Sequence, residues 1–158
     1  MSSKTSSLTA GQPAPVFEAQ STAGSVQMSD LQGQAVVIYF YPRDNTPGCT
    51  NEAQGFKEHW PAFQEQNCLI YGVSRDSMTA HTKFSNKLEL PFALISDPDE
   101  TVCNLFGVMR DKMMYGKQVR GIERSTFLID AQGNVAKVWR GVKVPGHVEE
   151  VLQAVRDL

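Results

Sequence analysis

A chain of 158 residues with 41% hydrophobic and 20% charged side chains has the composition of one ordinary soluble domain with a substantial core. A net charge of −2 and a pI near 5.9 exclude the global basic field that holds nucleic acid or an anionic membrane through counterion release, so small molecules or proteins are the expected partners. The longest apolar run, Ala35 to Tyr41, is far shorter than the roughly 20 residues needed to cross a bilayer, and no membrane span is expected.

Residues 1–10 read as a flexible tail with little to bury, and order is expected from about Pro13, giving a single domain over 11–158. The Ser- and Thr-rich start lacks the apolar segment and small-residue cleavage site of a secretory signal, which places the protein in the cytoplasm. The run Val36–Tyr41 is continuous, β-branched and aromatic, the pattern of a central strand covered on both faces, and Pro42 ends it. From Cys49 the apolar residues Ala53, Phe56, Trp60 and Phe63 recur at helical steps, with a break or kink at Pro61. Leu69–Ser74 reads as a second buried strand, Met78–Leu88 as a helix and Phe92–Ser96 as a third strand. Asp97 then offers an N-terminal cap to a helix over Glu100–Phe106. Arg110, Lys112, Lys117 and Arg120, interleaved with Met113, Met114 and Tyr115, read as a basic surface loop that could receive an anionic thiol or a partner protein. Phe127–Asp130 and Val135–Arg140 flank a Gly-containing turn in a hairpin pattern, and a helix from about Val148 closes the chain. Strands alternating with helices, then a hairpin and a last helix, predict an α/β fold with a mixed sheet covered on both faces.

In such sheets sites form beyond the carboxyl ends of the parallel strands, which directs attention to Pro42–Thr50. There Cys49 stands at the start of a helix, where unpaired N–H groups and the helix dipole favour an anion and hence a reactive thiolate. Moving a thiol from about 8.5 to about 6 raises its thiolate fraction at neutral pH only roughly 30-fold, about 2 kcal/mol. Fast chemistry therefore also needs donors aimed at the charge that develops on the reacting atoms, and Thr46, the Cys49 N–H and an arginine are the natural ones. The simpler alternatives are a small buried hydrophobe for Cys49, a turn residue for Thr46 and a surface ion-pair partner for Arg124.

Pro42, Thr46 and Cys49 match the Pro-x-x-x-Thr-x-x-Cys signature of peroxiredoxins. The run Thr46–Thr50, with Gly11–Pro15, Gly72–Ser77, Gly121–Phe127 and Val144–His147, resembles the bacterioferritin comigratory protein, or peroxiredoxin Q, subfamily over nearly the whole chain. The resemblance implies a thioredoxin-like fold, a sulfenic acid on Cys49, Arg124 as the active-site arginine and Pro42 as a shield over the sulfur. It implies reduction of hydrogen peroxide and organic hydroperoxides, with thioredoxin or glutathione/glutaredoxin as reductant. Glu52 is either a first-turn carboxylate favoured by the helix dipole or a brace for that arginine.

One departure concerns the resolving cysteine, which many members carry five residues after the first or on the following helix. Here those places hold Gln54 and, near the second, Ser85. Cys68 and Cys103 both read as core residues, so one essential cysteine recycled by an external thiol is expected, with Cys103 as the rival resolving residue. A disulfide oxidoreductase would need a paired cysteine where Thr46 or Glu52 stands, and a noncatalytic thioredoxin-like binding domain is the third reading. His59, His81 and His147 lack metal-ligand spacing with the cysteines, so neither metal nor cofactor is expected, and a monomer is.

Overall fold

The computed structural model describes residues 8–158. Its centre is β3 (Ala35–Phe40), whose six residues are all buried. Alternate side chains of a strand point to opposite faces, and both faces of β3 are covered. Val37 and Tyr39 enter one apolar cluster, Val36, Ile38 and Phe40 another.

Around β3 runs a seven-stranded sheet in the order β2-β1-β5-β4-β3-β8-β9, built from β1 (Glu18–Ser21), β2 (Gly24–Gln27), β4 (Cys68–Ser74), β5 (Ala93–Ser96), β8 (Ser125–Ile129) and β9 (Val135–Arg140). β3, β4 and β5 are parallel; β8 lies antiparallel to β3, and β1 to β5. On the Tyr39 face lie α1 (Pro47–Glu58), α2 (Trp60–Glu65), α3 (Met78–Leu88) and α5 (His147–Arg156). The opposite face is closed by α4 (Thr101–Leu105) and by the N-terminal segment through Ala14 and Phe17. This is the mixed sheet covered on both sides that the strand and helix pattern predicts.

Four differences from the sequence reading have physical causes. Packing begins before Pro13: Leu8 lies against the second cluster, its carbonyl accepts from Arg140, and the Gly11 N–H donates to Val135. The rest of the expected tail, residues 1–7, lies outside the described residues. The basic stretch is not a loop but a two-stranded hairpin, β6 (Met109–Met114) with β7 (Lys117–Ile122), closed at Tyr115 and Gly116, which both have positive φ as a two-residue turn requires. Its strands lack an alternating apolar face, so periodicity gives no sign of them. Trp60 opens α2 rather than continuing α1, because the chain bends at His59 and Pro61 fits the first turn of a new helix. The α4 helix is short, and Asp97 caps it from a distance, accepting from the N–H groups of Val102 and Cys103.

Candidate active site

α1 begins at Pro47, just beyond the carboxyl end of β3, and its third residue is Cys49. Proline at the first helical position fits because its missing N–H would be unpaired there in any case. Cys49 is 1% exposed and packs into the Tyr39-side cluster. One turn on, at the next position facing the same way, is Glu52, whose side chain is fully buried.

Arg124 reaches this helix from the second half of the chain, standing immediately before β8, which pairs with β3. Its Nη1 donates to Glu52 Oε1 at 2.7 Å and its Nη2 to Cys49 Sγ at 3.4 Å. One guanidinium thus bridges the carboxylate and the sulfur, using the planar fork that lysine lacks. Gly48 permits the approach: a Cβ there would stand 3.2 Å from Arg124 Nη2.

The electrostatics follow from burial. Loss of water pushes the Glu52 carboxyl up to about 7, even against the pull of Arg124, and its Oε2 has no partner among the described residues. Burial alone would lower the Arg124 guanidinium, but Glu52 and Cys49 raise it above its ordinary value. The Tyr39 phenol, fully buried and without a hydrogen-bond partner among the described residues, is raised by burial and by the nearby Glu52 and Cys49.

Of the residues singled out from the sequence, Cys49, Glu52 and Arg124 come together here. Thr46 is the residue before α1 but does not cap it; its hydroxyl donates to the Arg43 carbonyl at 2.9 Å, so in this state its proton is committed to the loop rather than aimed at the sulfur. Pro42 is exposed, just past β3.

Cys68 stands opposite Ala35 at the start of β3, roughly 16 Å along the strands from the end that leads to Cys49. Cys103, the rival resolving residue, belongs to the cluster on the other face of the sheet from Cys49. Burial pushes the Cys68 thiol up to about 12 and raises Cys103 as well, with Asp97 adding to the effect there.

The sequence reading missed Tyr41, Asp44 and His81. The Asp44 carboxylate accepts from the Tyr41 hydroxyl at 2.6 Å and faces His81 Nδ1 at 2.6 Å, all of it buried. Asp44 reads as a turn residue in Asp-Asn-Thr-Pro. The available signal was His81, which shares the buried stripe of α3 with Phe84 and Leu88 and so demands a partner. Asp44, Asp76 and His81 could present ligand atoms within 4.8 Å of one another, but each of these side chains is engaged in hydrogen bonds: Asp76 Oδ2 accepts from the Ser74 hydroxyl and the Asp44 N–H. That set suits a hydrogen-bond network better than a cation.

Residues 10–138 match the AhpC/TSA family. The chain is 48% identical to a putative peroxiredoxin bcp of Coxiella burnetii, covering 92% of this chain and 97% of that protein. It is 46% identical to the peroxiredoxin Bcp of Bacillus subtilis, covering 94% and 95%. Among solved structures, the bacterioferritin comigratory protein of Xanthomonas campestris, studied for alkyl peroxide reduction, superposes with a TM-score of 0.89 at 43% identity over 94% of this chain and 98% of that one. A PrxQ of Xylella fastidiosa gives 0.91 at 39% identity, covering 97% and 98%. With a cysteine on the first turn of α1, an arginine bonded to its sulfur and likeness along nearly its whole length, the chain belongs to the AhpC/TSA family, in the Bcp or peroxiredoxin Q branch.

Proposed function

We propose that the protein is a thiol-dependent peroxidase that reduces hydrogen peroxide and organic hydroperoxides at Cys49, recycled by an external thiol. The observation that carries this reading is the Arg124 fork, one nitrogen on the Cys49 sulfur and the other on Glu52. A cation so held can stabilise the charge that passes from sulfur to the departing oxygen. The thiolate attacks the terminal peroxide oxygen, an S–O bond forms as the O–O bond breaks, and the leaving alkoxide or hydroxide takes a proton to become alcohol or water. Cys49 is left as a sulfenic acid. A first reducing thiol forms a mixed disulfide and releases water; a second thiol displaces Cys49 and carries away the disulfide. Thr46 and Pro42 belong to the substrate side in this reading, Thr46 once its hydroxyl turns from Arg43.

The positions of the other sulfurs support recycling by an external thiol, for which thioredoxin and glutathione with glutaredoxin are the candidates. A disulfide needs Cα atoms within about 7 Å; the place of Cys68 at the far end of the strands and of Cys103 in the cluster on the other face of the sheet support the one-cysteine reading. The chain from Leu8 onward acts as one unit, and in this reading it works as a monomer in the cytoplasm. Among the described residues no helix is long and apolar enough to cross a membrane.

Intact mass and peptide mapping after one equivalent of peroxide test the reading. One added oxygen at Cys49, trapped by a sulfenic-acid reagent, is expected. Cys49→Ser should consume no peroxide, while Cys68→Ser/Cys103→Ser should turn over as wild type. Persistent turnover in Cys49→Ser overturns the assignment; a Cys49–Cys103 disulfide together with loss of turnover in the double variant overturns the one-cysteine cycle.

A further inference from the structure

The segment Pro42–Thr46 joins β3 to α1 and so sets where the first turn of α1, with Cys49 on it, begins. Short loops at strand ends are usually free to move, but this one is held from three sides. From the residue that follows β3, the Tyr41 hydroxyl donates to Asp44 Oδ1. From α3, His81 meets Asp44 Oδ2, and Lys87 Nζ donates to Asn45 Oδ1 at 2.9 Å. From the end of β4, Asp76 Oδ2 accepts from the Asp44 N–H at 2.7 Å and from the Ser74 hydroxyl at 2.6 Å. Asn45, between Asp44 and Thr46, takes the left-handed turn at φ +64, a conformation that asparagine adopts more readily than other non-glycine residues.

The arrangement of protons is fixed by the partners. The Ile95 carbonyl, 2.8 Å from His81 Nε2, can only accept, so Nε2 carries a hydrogen. A second proton lies between Nδ1 and Asp44, and the phenol proton of Tyr41 closes the other oxygen. His81 is 0% exposed, so these bonds are shielded from bulk solvent. Both oxygens of the Asp44 carboxylate are therefore engaged, and among the described residues none of these three side chains hydrogen-bonds Cys49.

We propose that Asp44, clamped by His81 and Tyr41, is a positioning residue for peroxide reduction, holding the Pro42–Thr46 loop so that Thr46 and the N-terminal turn of α1 meet the peroxide at Cys49 in register. The inference rests on the peroxidatic reading of Cys49. It requires that loosening the clamp harm reaction with peroxide, which needs both oxygens placed, more than alkylation by iodoacetamide, which needs only the sulfur.

The test compares second-order rates of Cys49 with hydrogen peroxide and with iodoacetamide in wild type, Asp44→Asn, Tyr41→Phe and Asp97→Asn. Asp97→Asn removes a buried capping carboxylate on the far face and serves as the control for general destabilisation. In Asp44→Asn and Tyr41→Phe the ratio of peroxide rate to alkylation rate should fall by about fivefold or more, with Asp97→Asn keeping the wild-type ratio. A smaller fall in either folded variant, or an equal fall in Asp97→Asn, overturns the positioning role. Should Asp44→Asn fail to fold, Tyr41→Phe, which deletes one oxygen and keeps the ring, decides alone. Wild-type protein that gains no oxygen at Cys49 would instead overturn the peroxidase reading, so the two failures are distinguishable.

Discussion

At Gly48 the requirements of the helix and of the site oppose one another. Alanine favours a helix interior over glycine by about 1 kcal/mol, a gain reduced at the second residue of α1, so Gly48→Ala should change stability little. Yet the new Cβ would sit 3.2 Å from Arg124 Nη2 and push the guanidinium off the sulfur by a few tenths of an ångström. Oxidation of Cys49, followed by stopped-flow fluorescence of Trp60 and Trp139, should slow by about tenfold. An unchanged rate would show that the fork tolerates displacement. Glu52 gives a prediction in pH. Its carboxyl holds a proton more tightly in the folded chain, up to about 7 against an ordinary 4.5, so the fold binds more protons than the unfolded chain in that window. The associated stability is complete below 4.5 and lost as pH rises to about 7. Glu52→Gln has no such loss, and its melting temperature relative to wild type should climb between pH 5 and pH 8. A difference that stays constant across that range would refute the burial argument.

Among the elements, β3 and β4 depend on a missing side chain. Tyr39 stacks on Phe56 at 4.6 Å and lies against Gly72, the residue opposite it on β4. A Cβ at Gly72 would approach Tyr39 Cζ at 2.8 Å and Leu94 Cδ2 at 2.9 Å, with neither ring nor neighbour free to leave. Gly72→Ala should therefore cost about 1–3 kcal/mol by overpacking, read as a melting temperature lower by several degrees. No change would mean the sheet relaxes there. This scale also shows what a sequence can express. β3 and the helical stripes were readable because burial on both faces or on one stripe leaves an apolar period. The β6–β7 hairpin was not, since exposed Met113, Val119 and the cations around them follow no period. Cys49, Thr46 and Arg124 stand in motifs, whereas the Asp44–His81 pair joins residues 37 apart by geometry alone. Likewise the face on which Cys103 lies depends on how α4 crosses the sheet, which no local pattern records.

Across the whole molecule, the chain order of the site has a practical consequence at the hairpin turn. Everything before Tyr115 supplies Cys49 and Glu52, and everything after Gly116 supplies Arg124. Tyr115 is 98% exposed, and a Cβ built on Gly116 would touch nothing within 4 Å. A chain divided between these residues yields two pieces that must re-form the β3–β8 pairing, Val36 to Ile129 through Phe40 to Ser125, before a sulfur and a guanidinium can meet. Peroxide consumption then becomes a reporter of fragment complementation. Co-expressed pieces 1–115 and 116–158 should associate and turn over, and neither piece alone should. Activity in the first piece by itself would mean that Cys49 works without the arginine.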